Sequence, residues 1–253
     1  MKIAVVTGAS SGMGREFVLA LDKDEEFDEI WVIARRELRL LELKDKCRAT
    51  IRPFVLDLLH RDAFDEYAAL LHELKPTIAV LVNAAGFGYF GRFMDYSLEH
   101  QLDQINLNSR ALTAMCHQSI PYMTRGSRIY NLASMSSWQP TPYMSVYGAS
   151  KSYVLSFSRA LGVELKAKGV QVMAITPGWI KTEFFEHAIH DNTVNYFNRY
   201  YDADEVVKKA MEDMKKGKKV SILGFPERLQ VLLVKIFPAN FVMKVWCKQQ
   251  GIK

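Results

Sequence analysis

Three cysteines in 253 residues, Cys47, Cys116 and Cys247, are too few and too scattered for a disulfide framework. No CxxC or Cys/His spacing offers a zinc site, so no bound metal is expected, and reduced thiols in a cytoplasmic protein are the plain reading. No uncharged span reaches transmembrane length. The apolar run after Lys2, Ile3–Val6, is too short for a secretory h-region and has the length of a buried strand. No block of like charge stands out either. The 33 basic and 28 acidic residues are interleaved, so a net charge of +5 gives a mildly basic surface without a nucleic-acid face. Repeats and low-complexity linkers are missing, and the chain reads as one domain large enough to bury a substantial core.

What is present is alternation. Short apolar runs at Ile3–Val6, Ile30–Ala34, Ile51–Leu56 and Ile78–Val82 are separated by a Gly-rich turn or by amphipathic, charged segments. Helices are predicted to about Asp22, from Glu37 to about Cys47, and from about Arg61 to Leu74. Parallel strands covered on both faces read as continuous apolar runs, so this pattern predicts βαβ units. The second half continues with two helices between Ser97 and Met123, a strand at Ser127–Leu132, and a helix from about Val146 to Lys166. A strand at Val170–Ile175 and a short one at Lys219–Leu223 follow. The predicted fold is α/β: a single-domain Rossmann fold, a doubly wound parallel sheet with helices on both faces. The charge run Asp22–Glu29 reads as a solvated loop.

Strand one leads into Thr7-Gly8-Ala9-Ser10-Ser11-Gly12-Met13-Gly14. Glycines allow a tight turn and close approach of backbone to a pyrophosphate. The helix that follows offers free N–H groups and its positive dipole end to phosphates. A glycine cluster is weak alone, but the strand–turn–helix position is the context a dinucleotide site requires. Strand two ends Ile33-Ala34-Arg35-Arg36, with no acid to accept a ribose 2′-hydroxyl. Arg35 can present a guanidinium fork to a 2′-phosphate, and Ser10 can add a hydroxyl. Two arginines at the positive end of a helix are unfavourable unless an anion joins them. The cofactor expected is NADP(H).

Tyr147 and Lys151 in Tyr147-Gly148-Ala149-Ser150-Lys151 lie one helical turn apart, on one face. A tyrosine with a reference pKa of about 10 exchanges protons poorly at neutral pH, and a nearby cation lowers that value. YxxxK alone is as easily a helix surface. Ser134, thirteen residues before Tyr147, lies just after a strand, where a parallel sheet presents residues to its ligand crevice. Ser136 and Ser137 are its rivals.

These motifs, in this order, resemble the short-chain dehydrogenase/reductase (SDR) family over nearly all of residues 1–223. TGxxxGxG is the family's cofactor turn. Asn83-Ala84-Ala85-Gly86 is similar to its NNAG, with Ala84 replacing the second asparagine. Asp57 falls where relatives contact adenine. The resemblance implies cofactor contacts at Gly8, Ser10, Ser11, Gly12, Met13 and Gly14, and further along at Arg35, Asp57, Asn83, Ala84 and Gly86. Pro177-Gly178 with Thr182 matches the PGxxxT that closes over the nicotinamide. The catalytic set implied is Asn106, Ser134, Tyr147 and Lys151, with Tyr147 and Lys151 also on the cofactor. Asn106 is preferred to Asn108 because "IN" matches the family's "VN". In relatives that asparagine bends its helix and holds a water linking the lysine to solvent. Relatives pair through the helices of Asn106 and Tyr147, which implies a homodimer or homotetramer.

The implied activity is NADPH-dependent reduction of a ketone or aldehyde, or the reverse, with Tyr147 as general acid/base. A redox-sensing NADP-binding regulator with little turnover is the alternative. An epimerase fits less well, since those relatives carry a GxxGxxG turn and a longer substrate domain. Trp138, Tyr143, Trp179, Phe184, Phe185, Tyr196, Phe197, Tyr200 and Tyr201 fall in substrate-facing stretches, including a lid at about 179–202. They imply a largely apolar pocket for a hydrophobic small-molecule carbonyl or alcohol. After a catalytic domain of residues 1–225, the apolar helical extension 226–253 departs from the family's commonest pattern. A helical hairpin packed on the active site or a partner subunit is preferred for it over a monotopic membrane contact, because lysines interrupt each apolar run.

Overall fold

A computed structural model describes residues 1–184, 188, 193–197 and 199–252. Phe185 of the expected lid lies outside them.

The apolar runs become strands β1 (Lys2–Thr7), β2 (Glu29–Ala34), β3 (Thr50–Val55), β4 (Thr77–Asn83), β5 (Arg128–Leu132) and β6 (Gln171–Ile175). A two-residue pair, β7 (Trp179–Ile180) and β8 (Tyr200–Tyr201), forms a separate small sheet, and β9 (Val220–Ser221) closes the main one. The main sheet has seven strands in the order β3-β2-β1-β4-β5-β6-β9. Every described pairing in it is parallel. The order reverses between β1 and β4, so a crevice opens beyond their carboxyl ends. Thr7 and Asn83 are register partners there, the last residues of the two strands.

Helices α1 (Gly12–Asp24), α2 (Glu37–Leu41), α3 (Asp62–Leu74), α4 (Leu98–Ile105), α5 (Leu112–Ser119) and α6 (Ser145–Glu164) connect and cover the strands. Two cores result. One, around Trp31, Tyr67 and Leu81, lies under α3, α5 and α6. The other, around Phe17, Val32 and Tyr130, lies under α1. Helix α2 stops at Leu41, short of the predicted Cys47, and turns carry the chain on to β3.

Helix α7 (Ala203–Lys215) has no counterpart among the expected elements. It opens with a capping box between Asp202 and Glu205 and packs on α1. Helices α8 (Phe225–Ile236) and α9 (Ala239–Gln249) form the predicted hairpin, broken at Pro238, which cannot continue a helix. No described helix is long and apolar enough to cross a membrane.

Between α4 and α5 the backbone is not broken. It widens into one π-helical stretch, Asn106–Ala111. Such insertions change which side chains face inward and concentrate at functional sites.

Candidate active site

The crevice is one cavity of about 1250 Å3. Its floor at one end is the glycine turn. Gly8 sits at φ +68, and a Cβ there would lie 2.8 Å from the Ala85 nitrogen. At Gly14 it would lie 2.3 Å from the Gly8 carbonyl oxygen. Neither position admits a side chain, so the turn stays open and its backbone meets whatever lies on it. Thr7 fixes the far wall: its hydroxyl accepts from the Ala84 and Ala85 N–H groups at 3.1 and 3.2 Å. Gly12 faces Thr182 across the crevice, so the glycine turn and the lid meet. Met13, Ala84, Gly86, Pro177, Gly178 and Thr182 all line the cavity.

Arg35 and Arg36 divide the work at the end of β2. Arg35 is largely exposed, lines the cavity, and pairs loosely with Asp57 at 3.8 Å. Asp57 also caps the Leu59 N–H at 3.0 Å. Arg36, which sequence reasoning does not select, reaches into the glycine turn. Its guanidinium donates to Ser10 Oγ at 3.0 Å and Ser11 Oγ at 2.6 Å, and pairs with Glu183 at 2.6 Å. The Arg36 guanidinium holds the Glu183 carboxyl below its ordinary range. Two guanidiniums, two hydroxyls and a helix N-terminus thus converge where a glycine cradle leaves backbone open. The donor set suits a phosphorylated dinucleotide.

Asn83 does not line this cavity. It ends β4 with its side chain turned into the sheet, donating to Asn131 at 2.8 Å and to Cys116 Sγ at 3.3 Å. Its contribution is to tie β4 to β5, and the expected cofactor contact is corrected to a structural one. The Cys116 thiol beside it is pushed up to about 12 by burial and is inert packing.

At the other end stand Ser134, Tyr147 and Lys151. Ser134 caps a short 3₁₀ turn, Met135–Trp138, accepting from the Ser136 N–H at 3.2 Å and the Ser136 hydroxyl at 2.9 Å. Its hydroxyl lies near the Tyr147 phenol and favours the charged form of that group. Burial pushes Tyr147 up to about 12, with the Ser134 hydroxyl acting the other way. Lys151 is buried and brought down to about 8 by loss of solvation. Its Nζ donates to the Leu132 carbonyl at 2.8 Å and lies 5.8 Å from the Tyr147 ring centroid. Phe90 and Phe184 flank the same ring, at 5.8 and 5.7 Å between centroids.

Of the two candidate asparagines, it is Asn108 that reaches this end of the site. Its amide donates to the Phe87 carbonyl at 2.8 Å and to Ser150 Oγ at 3.0 Å, and its oxygen accepts from the Phe87 N–H at 3.1 Å. A Cβ at Gly86 would lie 2.7 Å from Asn108 Oδ1 and 3.2 Å from Lys151 Nζ, so the three share one spot. Asn108 is buried, whereas Asn106 is only half-buried, and neither side chain lines the cavity itself. The preference for Asn106 is therefore corrected. The π-helical stretch rotates the helix face, and the preceding isoleucine carries no sign of that rotation.

Residues 2–193 match the family model described as short chain dehydrogenase. The chain belongs to the short-chain dehydrogenase family. An uncharacterised oxidoreductase of Staphylococcus epidermidis is 30% identical over 187 residues, spanning 73% of this chain and 80% of that protein. Among solved structures, a short-chain dehydrogenase from Sphingobium yanoikuyae in complex with NADPH superposes with a TM-score of 0.80 at 26% identity, covering 96% of each chain. A bulky-bulky ketone specific alcohol dehydrogenase from Comamonas testosteroni gives 0.76 at 25%, over 96% of this chain and 94% of that one. The chain is an oxidoreductase of this family.

In this short-chain dehydrogenase the tail completes the site. Trp246 is buried against Phe90, Met144 and Tyr147, and its indole N–H donates to the Pro142 carbonyl at 3.0 Å. Gln250 accepts from the Asn195 and Tyr196 N–H groups at 3.0 and 2.9 Å, pinning part of the lid. Glu227, buried at the start of α8, accepts from the Tyr201 hydroxyl at 2.8 Å, linking tail to β8. The end of the cavity away from the glycine turn is walled by Leu229, Leu233, Phe237, Phe241 and Val242. The hairpin thus forms part of the wall of this cavity.

Proposed function

We propose that this dehydrogenase is NADP(H)-dependent and interconverts a bulky or extended apolar ketone or aldehyde with its alcohol. The observation that carries the reading is the meeting of Ser134, Tyr147 and Lys151 in the wall of one cavity whose opposite end gathers Arg35, Arg36, Ser10 and Ser11. The volume exceeds the roughly 300–1,000 Å3 of an ordinary small-ligand pocket, leaving room for a sizeable substrate beside a dinucleotide.

A nicotinamide cofactor supplies the hydride when bound. Ser134 orients the substrate carbonyl by hydrogen bonding its oxygen. Tyr147, kept protonated by burial, gives that oxygen its proton. Lys151, when charged, stabilises the tyrosinate left behind. Asn108 holds Ser150 and the Phe87 backbone, which fixes the wall against Lys151. The aromatic and aliphatic wall excludes water from the transfer. Arg35 and Arg36 select a 2′-phosphate. The sheet-and-helix family supports a homo-oligomer, with α4 and α6 as the pairing face.

The test is oxidation of NADPH and of NADH over ketones and aldehydes of graded size. NADPH should be preferred by about tenfold or more in kcat/KM, the worth of one charge-assisted contact. kcat/KM should rise with apolar bulk. Equal use of the two cofactors, or a preference for small polar carbonyls, refutes the corresponding half of the reading.

A further inference from the structure

The tail hairpin has a second face. Phe225, Leu229, Leu232 and Ile236 recur at helical spacing along α8 and form one stripe. Phe225 is 75% exposed, Leu232 55% and Ile236 66%, and these three are not part of the cavity wall. Across the turn, Phe237 and Phe241 pack with tilted rings, centroids 5.1 Å apart, and stay exposed, and Val245 continues the apolar surface along α9.

Its charges are of one sign. Arg228, Lys235, Lys244 and Lys248 are exposed on the hairpin. The one acidic side chain of residues 225–252, Glu227, is buried against Tyr201. We propose that this face docks on an anionic lipid surface, with α8 and α9 lying in the plane of the headgroups. Helices of 12 and 11 residues are too short to span a bilayer, and an apolar stripe flanked by cations is the pattern of an interfacial helix. A second copy of this chain fits less well. The centre of a protein interface is depleted in lysine, whereas at a lipid surface lysine stems lie along the apolar layer and carry their charge to the headgroups. A copy also has another apolar face to use, at Leu98, Leu102 and Ile105 on α4.

Leu229, Leu233, Phe237, Phe241 and Val245 line the cavity as well as showing exposed surface. A docked hairpin therefore sets the rim of the substrate cavity against the lipid, and an apolar carbonyl dissolved there enters without crossing water. That consequence rests on the redox reading above; the docking itself does not.

Pelleting with vesicles tests it, and needs no substrate. The full chain is mixed with vesicles of phosphatidylcholine alone or with added phosphatidylglycerol. It should pellet with the mixed vesicles, and less so as salt is raised. Lys244→Gln with Lys248→Gln should weaken binding by about 25-fold, from roughly fivefold per cation near an anionic surface. Leu232→Glu with Ile236→Glu should weaken it by more than about tenfold by placing charge in the apolar layer. All four positions are exposed, and an unchanged unfolding midpoint confirms each variant's fold. A chain that stays in the supernatant with anionic vesicles overturns the proposal, as do variants that pellet like the parent. So does a Leu232→Glu/Ile236→Glu variant whose only change is a smaller mass by light scattering, since the face then binds a second copy.

Discussion

The two ends of the cavity are built by different physics. At the glycine turn, recognition is directional: guanidiniums, hydroxyls and backbone N–H groups each have one geometry, and Gly8 and Gly14 have no space for a Cβ. At the tail, recognition is by bulk. Leu229, Leu233, Phe237 and Phe241 exclude water and fill space, and apolar side chains of similar volume would serve nearly as well. One end admits few substitutions, and the other tolerates many while changing what fits. Tyr147 stands where the two meet, beside Ser134 and Lys151 in the cavity wall and flanked by the rings of Phe90 and Phe184.

Substitutions can sharpen or break that contrast. The largest effect is expected for Tyr147→Phe, which removes the proton donor and keeps the ring. Turnover should fall by roughly 10²–10⁴-fold, the range for a positioned acid. NADPH affinity, followed by fluorescence titration, should stay within a few-fold. Retained turnover removes Tyr147 from the mechanism. Next comes the pair of asparagines. Asn108→Ala leaves the Phe87 backbone and Ser150 without their partner, so kcat should drop by about 10²-fold through displacement of the site wall. Stability should fall by about 1–3 kcal/mol. Asn106→Ala should leave both within error, and the reverse ranking would restore the sequence-based choice.

Arg36→Ala should raise the KM for NADPH by roughly 10–100-fold and leave that for NADH unchanged, through removal of a hydrogen-bonded charge. An equal effect on both cofactors places Arg36 in turn structure rather than in phosphate recognition. The pH profile of reduction follows from Lys151. Tyr147, pushed up to about 12, remains protonated through neutral pH, so the donor is loaded. As pH rises through about 8, Lys151 loses its proton and with it the charge that stabilises tyrosinate. Reductive kcat/KM should therefore be level below that pH and fall above it. A profile flat to pH 10 denies the lysine its role. The smallest effect belongs to the tail end. Leu233→Ala should change kcat/KM for the bulkiest ketones by a factor of about 4 for each methylene of substrate left unburied, since a CH₂ is worth about 0.8 kcal/mol. The KM for NADPH should stay as it is.

What is legible in the chain follows the same division. TGxxxGxG, YGASK and the strand runs are readable because directional chemistry and parallel-sheet burial tie residue type to position. Helix α7 escapes a sequence reading although Asp202 and Glu205 mark its start, because it lies after the aromatic lid and adds no chemistry. Asn108 yields to Asn106 on sequence, since a π-helical stretch alters which residue points inward and leaves no local mark. Asn83 carries a family motif, but its side chain satisfies Asn131 within the sheet. Arg36 is one of two adjacent arginines at the end of β2, and only its reach across to Ser10 and Ser11 separates it from Arg35.

By itself the sequence determined the parallel sheet, the glycine turn that follows its first strand, and the placing of Tyr147 and Lys151 on one helix face. Each follows from local periodicity or from fixed spacing along one element. Only the tertiary structure decided that the tail roofs the cavity, that Trp246 packs on Tyr147, and that Arg36 meets Glu183. Those contacts join residues about 100 or more apart in sequence. No local pattern encodes them, because apolar packing and ion pairing depend on where whole elements come to rest.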